Sequence, residues 1–376
     1  MKETLELLKE LTNIPAPSGN EMTLSKYIYH YMKTFAEEVD ADNLGNVMAC
    51  VTGRKPGAVR ILLTAHQDEV SFIVRKIEPN GFIKIQRTGG IPEKNLLGLV
   101  VLLMTDKGIC TGLIGTRSHH LTSQEERYQV VPMMDLYIDA GFTSAEEAAE
   151  AGVHVGTPVV YQRTFYVNGH RIFSNALDDR IGLASILQVG KRIASRKDEM
   201  DAEVWIGTSV QEEWSLRGII PLTRMVEPDA VLCCDMYPAT DTPDLKGIAD
   251  LGLGNGPVIS EYNFHGRGTL MGLIPDAALR DTALEAARQL GIAVQRGVLI
   301  GVLTDAAYVQ TEGKGIATLD IAIPARYSHS AVESSDLRDL KEYMDLLERL
   351  IEIYPGRAAK NRRDLIVSSE ETYEFA

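Results

Sequence analysis

Residues 60–69 read RILLTAHQDE, an apolar run that ends in a cluster of polar side chains. The run from Arg60 to Ala65 predicts a buried strand, and His66 follows it directly. Asp68 stands two residues further on, so both side chains share one face if the chain stays extended. Asp68 would then accept a hydrogen bond from the imidazole and orient it. Alone, this pattern more often marks a polar loop after a strand, so its meaning depends on the rest of the chain.

Four more residues of metal-binding type stand where predicted strands end or a predicted helix begins. Each has an ordinary explanation when taken alone, such as a solvated strand end. For the pair Asp178-Asp179 the ordinary explanation is a helix N-terminal cap, but it suits Asp179 better and leaves Asp178 free to bind metal. With His66 they supply two imidazoles and three carboxylates, a complete set of oxygen and nitrogen ligands for zinc or cobalt. Ligands in α/β proteins gather at the carboxyl ends of strands. We therefore predict a pair of divalent cations, one carboxylate being shared between them, with the remaining ligands Asp178 (bridging), Glu213, Asp235 and His329.

Glu212 is an extra acid directly before Glu213. Adjacent carboxylates after the apolar strand Val204 to Ser209 repel each other, and burying them uncompensated would cost several kcal/mol. Acid pairs are also common on protein surfaces, so an exposed pair is an equally good explanation. A nearby dication changes this, because one carboxylate can bind it while the other accepts a proton from water whose pKa has fallen to about 7. Glu212 is the predicted general base, which makes a two-metal hydrolase the leading hypothesis.

The composition excludes several classes of protein. A chain of 376 residues and 41.4 kDa predicts two domains, or one domain with a large insertion. The net charge of -14 argues against nucleic acid as a partner, and no stretch approaches the roughly 20 apolar residues of a membrane span. Four scattered cysteines do not form a disulfide framework, and the N-terminus reads as an amphipathic helix rather than a signal peptide. We therefore expect a cytoplasmic protein that binds neither nucleic acid nor membrane.

The two ends of the chain carry patterns typical of an α/β domain. Apolar residues at helical spacing predict a first helix from Thr4 to Thr12 and a second helix that Ser18 or Asn20 would cap. Helices and strands alternate again from Arg180 to the last predicted helix, Leu337 to Ile353. This alternation predicts helices packed on a sheet.

The middle of the chain has a different pattern. In residues 72–163 short β-type runs alternate with glycine and proline turns, and only one helix stands out. This predicts a small barrel or sandwich inserted into the α/β domain, which then comprises residues 1–71 plus 164–376. The last stretch, Asn361 to Ala376, is polar and is predicted to be a loosely held tail.

Other candidate sites are weaker. Ser215 and Ser330 lack the setting of a nucleophile elbow, which argues against a serine hydrolase. The pair His119 and His120 lies in a predicted loop, where such residues are more often exposed and without function. The glycine-rich stretch 252–256 resembles a phosphate loop only superficially, because it lacks the Lys-Ser/Thr ending.

Over nearly its whole length the chain resembles the M42 family of metallo-aminopeptidases, which includes glutamyl aminopeptidases and tetrahedral aminopeptidases. Some relatives have carried an endoglucanase label. The resemblance depends on motifs that occur in the same order across some three hundred residues: 13–19, 65–69, 135–141, 152–156, 176–182, 211–213, 241–243, 304–306 and 326–329.

The resemblance implies a zinc-peptidase-like catalytic domain, in which helices flank a mixed sheet, interrupted by a small β-barrel-like dimerisation domain. It implies a peptide substrate with a free N-terminus and dimers that assemble into twelve-subunit tetrahedral shells. Glu212 would be the general base, and Asp68 the acid that orients the first histidine ligand. It also implies two divalent metal ions per subunit, zinc with cobalt or manganese as alternatives, held by His66, Asp178, Glu213, Asp235 and His329.

The chain departs from the usual family pattern beside the predicted site. Trp214 and Ser215 stand where relatives usually carry a small aliphatic residue and glycine, Ser71 stands where glycine is common, and Asn175 replaces a basic residue of many relatives. These changes leave the ligand set intact but surround it. Two alternatives therefore stay open: a catalytically inactive or regulatory scaffold, which crowding by Trp214 would favour, and a glycosidase that uses two carboxylates across a sugar bond.

Overall fold

The computed structural model of the protein describes residues 1–266 and 271–357. The predicted tail, Asn361 to Ala376, lies outside the described residues. No helix of the described part is both long and apolar enough to span a membrane. The α-helices of this part are α1 (Lys2–Asn13), α2 (Met22–Met32), α3 (Ala145–Glu150), α4 (Leu177–Ala194), α5 (Ile219–Val226), α6 (Ala277–Leu290), α7 (Ala306–Val309) and α8 (Leu337–Ile353).

The strands fall into a large sheet, a closed barrel and a small three-stranded sheet. In chain order, the strands of the described residues are β1 (Glu38–Ala41), β2 (Val47–Cys50), β3 (Arg60–His66), β4 (Ser71–Ile77), β5 (Ile83–Thr88), β6 (Val100–Thr105), β7 (Gly108–Ile114), β8 (Ile138–Asp139), β9 (Pro158–Tyr161), β10 (Phe165–Asn168), β11 (Arg171–Ser174), β12 (Glu203–Ser209), β13 (Ala230–Pro238), β14 (Val258–Phe264), β15 (Gly272–Leu273), β16 (Gln295–Ile300), β17 (Ala317–Ala325) and β18 (Glu333–Asp336).

The large sheet is mixed, as predicted. Its strand order is β1-β2-β12-β3-β13-β17-β14-β15, and β16 pairs with β14. The four central strands β12, β3, β13 and β17 run parallel. At the two sides of this parallel set, β2 pairs antiparallel with β12, and β14 pairs antiparallel with β17. Parallel neighbours bring their carboxyl ends to the same edge of the sheet, and that edge carries the predicted site.

Helices cover both faces of this sheet, which is why its central strands are continuous apolar runs rather than alternating ones. In β3, Ile61 and Leu63 pack into the core shared with α1, α2, α4, α6 and α8. Leu62 points to the other face and packs in a second cluster with residues of α5 and α7. This alternation follows from the pleat of the strand, and it confirms the predicted architecture of helices flanking a mixed sheet.

The predicted inserted barrel is also present. Strands β4-β5-β8-β7-β6-β9 close on themselves within residues 71–161. They enclose their own apolar core, which includes Phe72, Val101 and Ile138. The barrel therefore has a core separate from that of the α/β part. The exact domain limits and a role in dimerisation stay predictions.

The start of α2 differs from the prediction. Neither Ser18 nor Asn20 caps this helix, because the capping position is Glu21, which makes no side-chain cap hydrogen bond. The Ser18 hydroxyl instead donates to the Asp68 carboxylate at 2.6 Å. Hydrogen bonds to an ionised acceptor are stronger than those between neutral groups. The Ser18 side chain therefore binds Asp68 at the edge of the sheet and leaves the start of the helix uncapped.

Candidate metal centre

The five predicted ligands meet at the carboxyl edge of the parallel strands. His66 is the last residue of β3, Asp235 lies in β13, Glu213 follows β12, and His329 follows β17. Asp178 stands at the start of α4, where its backbone is not yet helical. These segments lie far apart in sequence, and the parallel order of the central strands is what brings their side chains together.

Asp178 lies between the two histidines. Its Oδ1 is 3.1 Å from His66 Nε2, and its Oδ2 is 3.5 Å from His329 Nε2. His329 Nε2 is also 3.4 Å from Glu213 Oε1. Donor atoms of His66, Asp178 and Glu213 all lie within 4.8 Å of one another. One carboxylate that faces a different imidazole with each oxygen has the arrangement expected of a bridging ligand.

A second group of donors includes a residue that sequence reasoning had assigned only to helix capping. Donor atoms of His66, Asp179 and Asp235 lie within 4.8 Å of one another. Asp179 Oδ1 does accept the backbone N–H of Gly182 at 3.0 Å, as predicted for a cap. Its Oδ2 is buried and has no hydrogen-bond partner among the described residues. The two adjacent acids in the first turn of α4 were the available signal that both carboxylates face the site.

Asp68 makes different contacts from those predicted. Its carboxylate Oδ1 lies 3.6 Å from His66 Nδ1, and the imidazole donates instead to the Asp68 backbone carbonyl at 3.1 Å. The carboxylate accepts the backbone N–H of Glu212 at 2.9 Å and that of Glu213 at 3.1 Å. Asp68 therefore orients His66 through its main chain and holds the acid pair through its side chain.

Glu333 is a site residue that the sequence reasoning missed. This buried carboxylate accepts the backbone N–H of Asp178 at 2.9 Å and that of His329 at 2.7 Å. His329 has φ +64°, a left-handed conformation that is uncommon for residues other than glycine, and the hydrogen bond to Glu333 helps hold it there. An acid four residues after His329 carries no local signal of this role, because the pairing depends on a segment 155 residues away.

The electrostatics of the cluster are dominated by buried acids. Burial, reinforced by Asp235 and Asp305, raises the pKa of Glu212 well above its usual range. Burial likewise raises the pKa of Glu213 to about 7. Burial acts against ionisation of Asp178 too, but the adjacent imidazoles of His329 and His66 outweigh it and lower the pKa of this carboxyl group.

The donor set fits a pair of divalent cations. Glu213 Oε1 is buried without a hydrogen-bond partner among the described residues, since its contact with His329 lacks hydrogen-bond geometry. Buried carboxylates that outnumber the nearby cationic groups are costly unless a positive charge compensates them. Carboxylate and imidazole donors within a few ångströms of one another supply oxygen and nitrogen ligands of the kind zinc prefers.

The weaker candidates do not join the site. In the glycine-rich stretch 252–256, the Asp339 carboxylate accepts the N–H groups of Gly254 and Gly256 at 2.7 and 2.8 Å, so the anion-binding position of this loop is filled from within. His119 and His120 lie exposed in a short 3-10 turn of the inserted segment. Asn175 accepts the Thr164 N–H and donates to the Thr12 carbonyl, which are structural contacts.

Comparison with known proteins identifies the family. Residues 45–346 match the sequence model of a family described as M42 glutamyl aminopeptidase. The chain belongs to the M42 family. It is 40% identical over 346 residues to the putative aminopeptidase SgcX of Escherichia coli K12, covering 92% of each chain. It is 30% identical to the lysyl aminopeptidase of Pyrococcus furiosus, covering 92% of this chain and 96% of that protein.

Among solved structures, the chain is similar to the TET1 peptidase of Pyrococcus horikoshii. The TM-score is 0.81 at 32% identity, and the match covers 93% of this chain and 99% of that one. That peptidase can assemble into a tetrahedron or a large octahedral shell. The predicted family is thus confirmed, and so is the predicted class of enzyme, a hydrolase that acts on peptide bonds.

Proposed function

We propose that this M42 enzyme removes N-terminal residues from short peptides by hydrolysis at a dinuclear metal centre. The observation that carries the proposal is the position of Asp178 between His66 and His329, at 3.1 and 3.5 Å from their Nε2 atoms. Two divalent ions, zinc with cobalt or manganese as alternatives, would be held by His66, Asp178, Glu213, Asp235 and His329. When bound, they would supply Lewis acidity toward the scissile carbonyl and toward the attacking water.

Glu212 is the proposed general base. Its side chain is buried at the same edge as the ligands, and burial raises its pKa, which makes the carboxylate a stronger base toward water. Glu212 would accept one proton from water as the hydroxide oxygen bonds to the carbonyl carbon. It would pass that proton to the leaving amine as the C–N bond breaks, so that a free amino acid and a shortened peptide result. Asp68, which binds the Glu212 N–H, would keep the base in place.

The inserted barrel supports a proposal about assembly. Several large apolar side chains of the inserted segment are exposed in the single chain, including Leu121 at 76% and Tyr128 at 89% of their full area. Exposed apolar groups of this size are typical of surfaces that bind another protein. We propose that residues 72–163 mediate dimerisation and that dimers form a twelve-subunit shell in the cytoplasm. Light scattering of the purified protein would give the subunit number directly, and a monomeric mass would contradict the proposal.

One activity panel tests the proposed reaction. Protein stripped with a chelator is reloaded with zinc, cobalt or manganese and assayed on acidic, basic and apolar aminoacyl amides, with the same amides blocked at the amine as controls. We expect cleavage of at least one free-amine substrate, no cleavage of its blocked counterpart, and loss of activity on chelation. If no amide is cut by protein that holds two metal ions, the inactive scaffold replaces the peptidase. The same preparations are also assayed on β-glucan. If β-glucan is the only substrate cut, and chelation has no effect, the glycosidase hypothesis replaces the peptidase.

A further inference from the structure

The barrel reaches into the metal centre through one turn. Gly89 and Gly90 follow β5, and the Gly90 backbone carbonyl lies 2.7 Å from His329 Nδ1. A carbonyl oxygen only accepts hydrogen bonds, so Nδ1 must carry the proton. In the neutral imidazole the lone pair is then on Nε2, the atom that lies 3.4 Å from Glu213 and 3.5 Å from Asp178. The contact therefore selects the tautomer that a metal site at Nε2 requires.

Both glycines lie so close to predicted ligands that a side chain at either position would crowd them. A Cβ atom added to Gly90 would lie 3.2 Å from His329 Nδ1, so any side chain there would press on the imidazole. A Cβ atom added to Gly89 would lie 3.3 Å from Glu213 Oε2 and 2.9 Å from Val70 Cγ1. Gly89 has φ +96°, whereas Gly90 has a backbone conformation open to other residues. The absence of a side chain at Gly90 is thus explained by its approach to His329 and not by backbone strain.

The two histidines are oriented by equivalent contacts from different parts of the fold. His66 Nδ1 donates to the Asp68 carbonyl, two residues along its own chain segment. His329 Nδ1 donates to a carbonyl 239 residues away in sequence. His66 is buried, whereas the His329 side chain is one-third exposed. The orientation of His329 therefore depends more strongly on its single backbone acceptor.

We propose that the Gly89–Gly90 turn is a positioning element of the metal centre, by which the barrel sets the orientation and tautomer of His329. This inference rests on the proposed dinuclear function. It gives the inserted barrel a second role, besides any role in assembly. It also predicts that one of the two metal ions, the one bound by His329 and Glu213, is the ion that responds to changes in the barrel turn.

The test compares metal binding by the wild type, Gly90→Ala and Gly89→Ala, with Gly98→Ala as the control. Gly98 lies in the same inserted segment at φ +81° and has no atom within 4 Å of an added Cβ, so this variant strains the backbone without touching the centre. Metal content is measured by mass spectrometry after dialysis, and affinity by calorimetric titration with zinc. We expect two ions in the wild type and the control. We expect one retained ion in Gly90→Ala and Gly89→Ala, with the second bound about 10- to 100-fold more weakly.

Excess zinc separates a displaced ligand from a misfolded protein. Saturating zinc should restore the second ion and the activity of Gly90→Ala, which a protein that had lost its fold would not regain. Two tightly bound ions in Gly90→Ala, with two in the wild type, would overturn this inference and leave the proposed function standing. Loss of both ions in Gly90→Ala without rescue would also overturn it. Fewer than two ions in the wild type would overturn the proposed function and this inference with it.

Discussion

The backbone N–H of Glu212 donates to Asp68 Oδ1 at 2.9 Å, so the proposed base is attached to the segment that carries the first histidine. The second carboxylate oxygen of Asp68 accepts the N–H of Glu213 and the hydroxyl of Ser18. One buried carboxylate therefore connects β3, the segment after β12 and the N-terminal segment. Because the Asp68 carboxylate accepts three hydrogen bonds, we expect it to affect the reaction by positioning Glu212 and Glu213.

Replacing Glu212 should separate chemistry from metal binding. Glu212→Gln keeps the size of the side chain but cannot accept a proton, so kcat is expected to fall by about 10²- to 10⁴-fold. Both metal ions should remain, because Glu212 is not a proposed ligand. The matched variant Glu213→Gln should lose one ion as well as activity. Full turnover by Glu212→Gln, measured beside its metal content, would remove this residue from the role of base.

Asp68→Asn should lower kcat more than it changes KM. An amide offers one acceptor oxygen in place of two, so one N–H of the acid pair would face another donor. Ser18→Ala removes only one of the three hydrogen bonds and serves as the mild comparison. Steady-state kinetics on one aminoacyl amide distinguish the two variants. Equal losses in both would mean that the Ser18 contact, rather than the hold on Glu212 and Glu213, determines the effect.

Glu333→Gln should weaken metal binding without unfolding the protein. Its carboxylate accepts two backbone N–H groups with two different oxygens, and glutamine can satisfy only one of them in that orientation. We expect about 10- to 100-fold weaker binding of at least one ion, measured by zinc titration. Glu312→Gln, which alters an ion pair with Arg224 on the surface, is the control and should bind metal as the wild type does. Unchanged zinc affinity in Glu333→Gln would show that the two N–H contacts do not position the ligands.

Asp320 predicts a pH dependence of stability. Burial raises the pKa of Asp320 from its usual value of about 4 to about 7, although Thr304 and Asn263 donate hydrogen bonds to the carboxylate. The folded protein therefore holds a proton that the unfolded chain releases above about pH 4, and the corresponding stability is lost as the pH rises toward 7. Asp320→Asn keeps a neutral group at all pH values.

The advantage of Asp320→Asn over the wild type should therefore grow between pH 5 and pH 8. The expected gain is on the order of 2–3 kcal/mol, since one pKa unit corresponds to about 1.4 kcal/mol. Denaturant unfolding of the metal-free proteins at both pH values gives the measurement. Asp281→Asn, at an exposed position, is the comparison and should change in parallel with the wild type. If the difference in unfolding free energy between Asp320→Asn and the wild type were the same at both pH values, the raised pKa of Asp320 would be contradicted.

The parts of the fold that follow from local pattern agree with the sequence. The predicted bounds of α8 match the structure residue for residue, and the predicted strand Val204 to Ser209 differs from β12 by one residue, because both are strongly patterned segments with clear ends. The five predicted ligands lie at or near the ends of elements whose type the sequence predicts, and the parallel order of the central strands brings these ends together. By contrast, the hairpin of β10 and β11 was not predicted, although residues 165–174 combine aromatic and β-branched residues with an Asn-Gly pair typical of hairpin turns.

Contacts between distant segments were the part that sequence could not give. The residues around Ser18 match the usual pattern of a helix cap, but the Ser18 hydroxyl donates its hydrogen bond to the Asp68 carboxylate, 50 residues away in sequence. Glu333 acts on the backbone of Asp178, and the Gly90 carbonyl acts on His329, so neither contact depends on a recognisable pair of side chains. Main-chain donors and acceptors are the same for nearly every residue type, and their use becomes visible only when the fold places them.

The Gly90 carbonyl also limits how the barrel can be exchanged between relatives. A chimaera that receives the insertion of another family member would also receive that relative's backbone turn. The carbonyl that accepts the hydrogen bond from His329 would then come from the relative, together with the barrel surface. Grafts cut close to β4 and β9 would therefore transplant a fragment of the proposed metal centre. We expect a chain with an exchanged barrel to keep its metal binding when the turn after β5 is retained from the recipient.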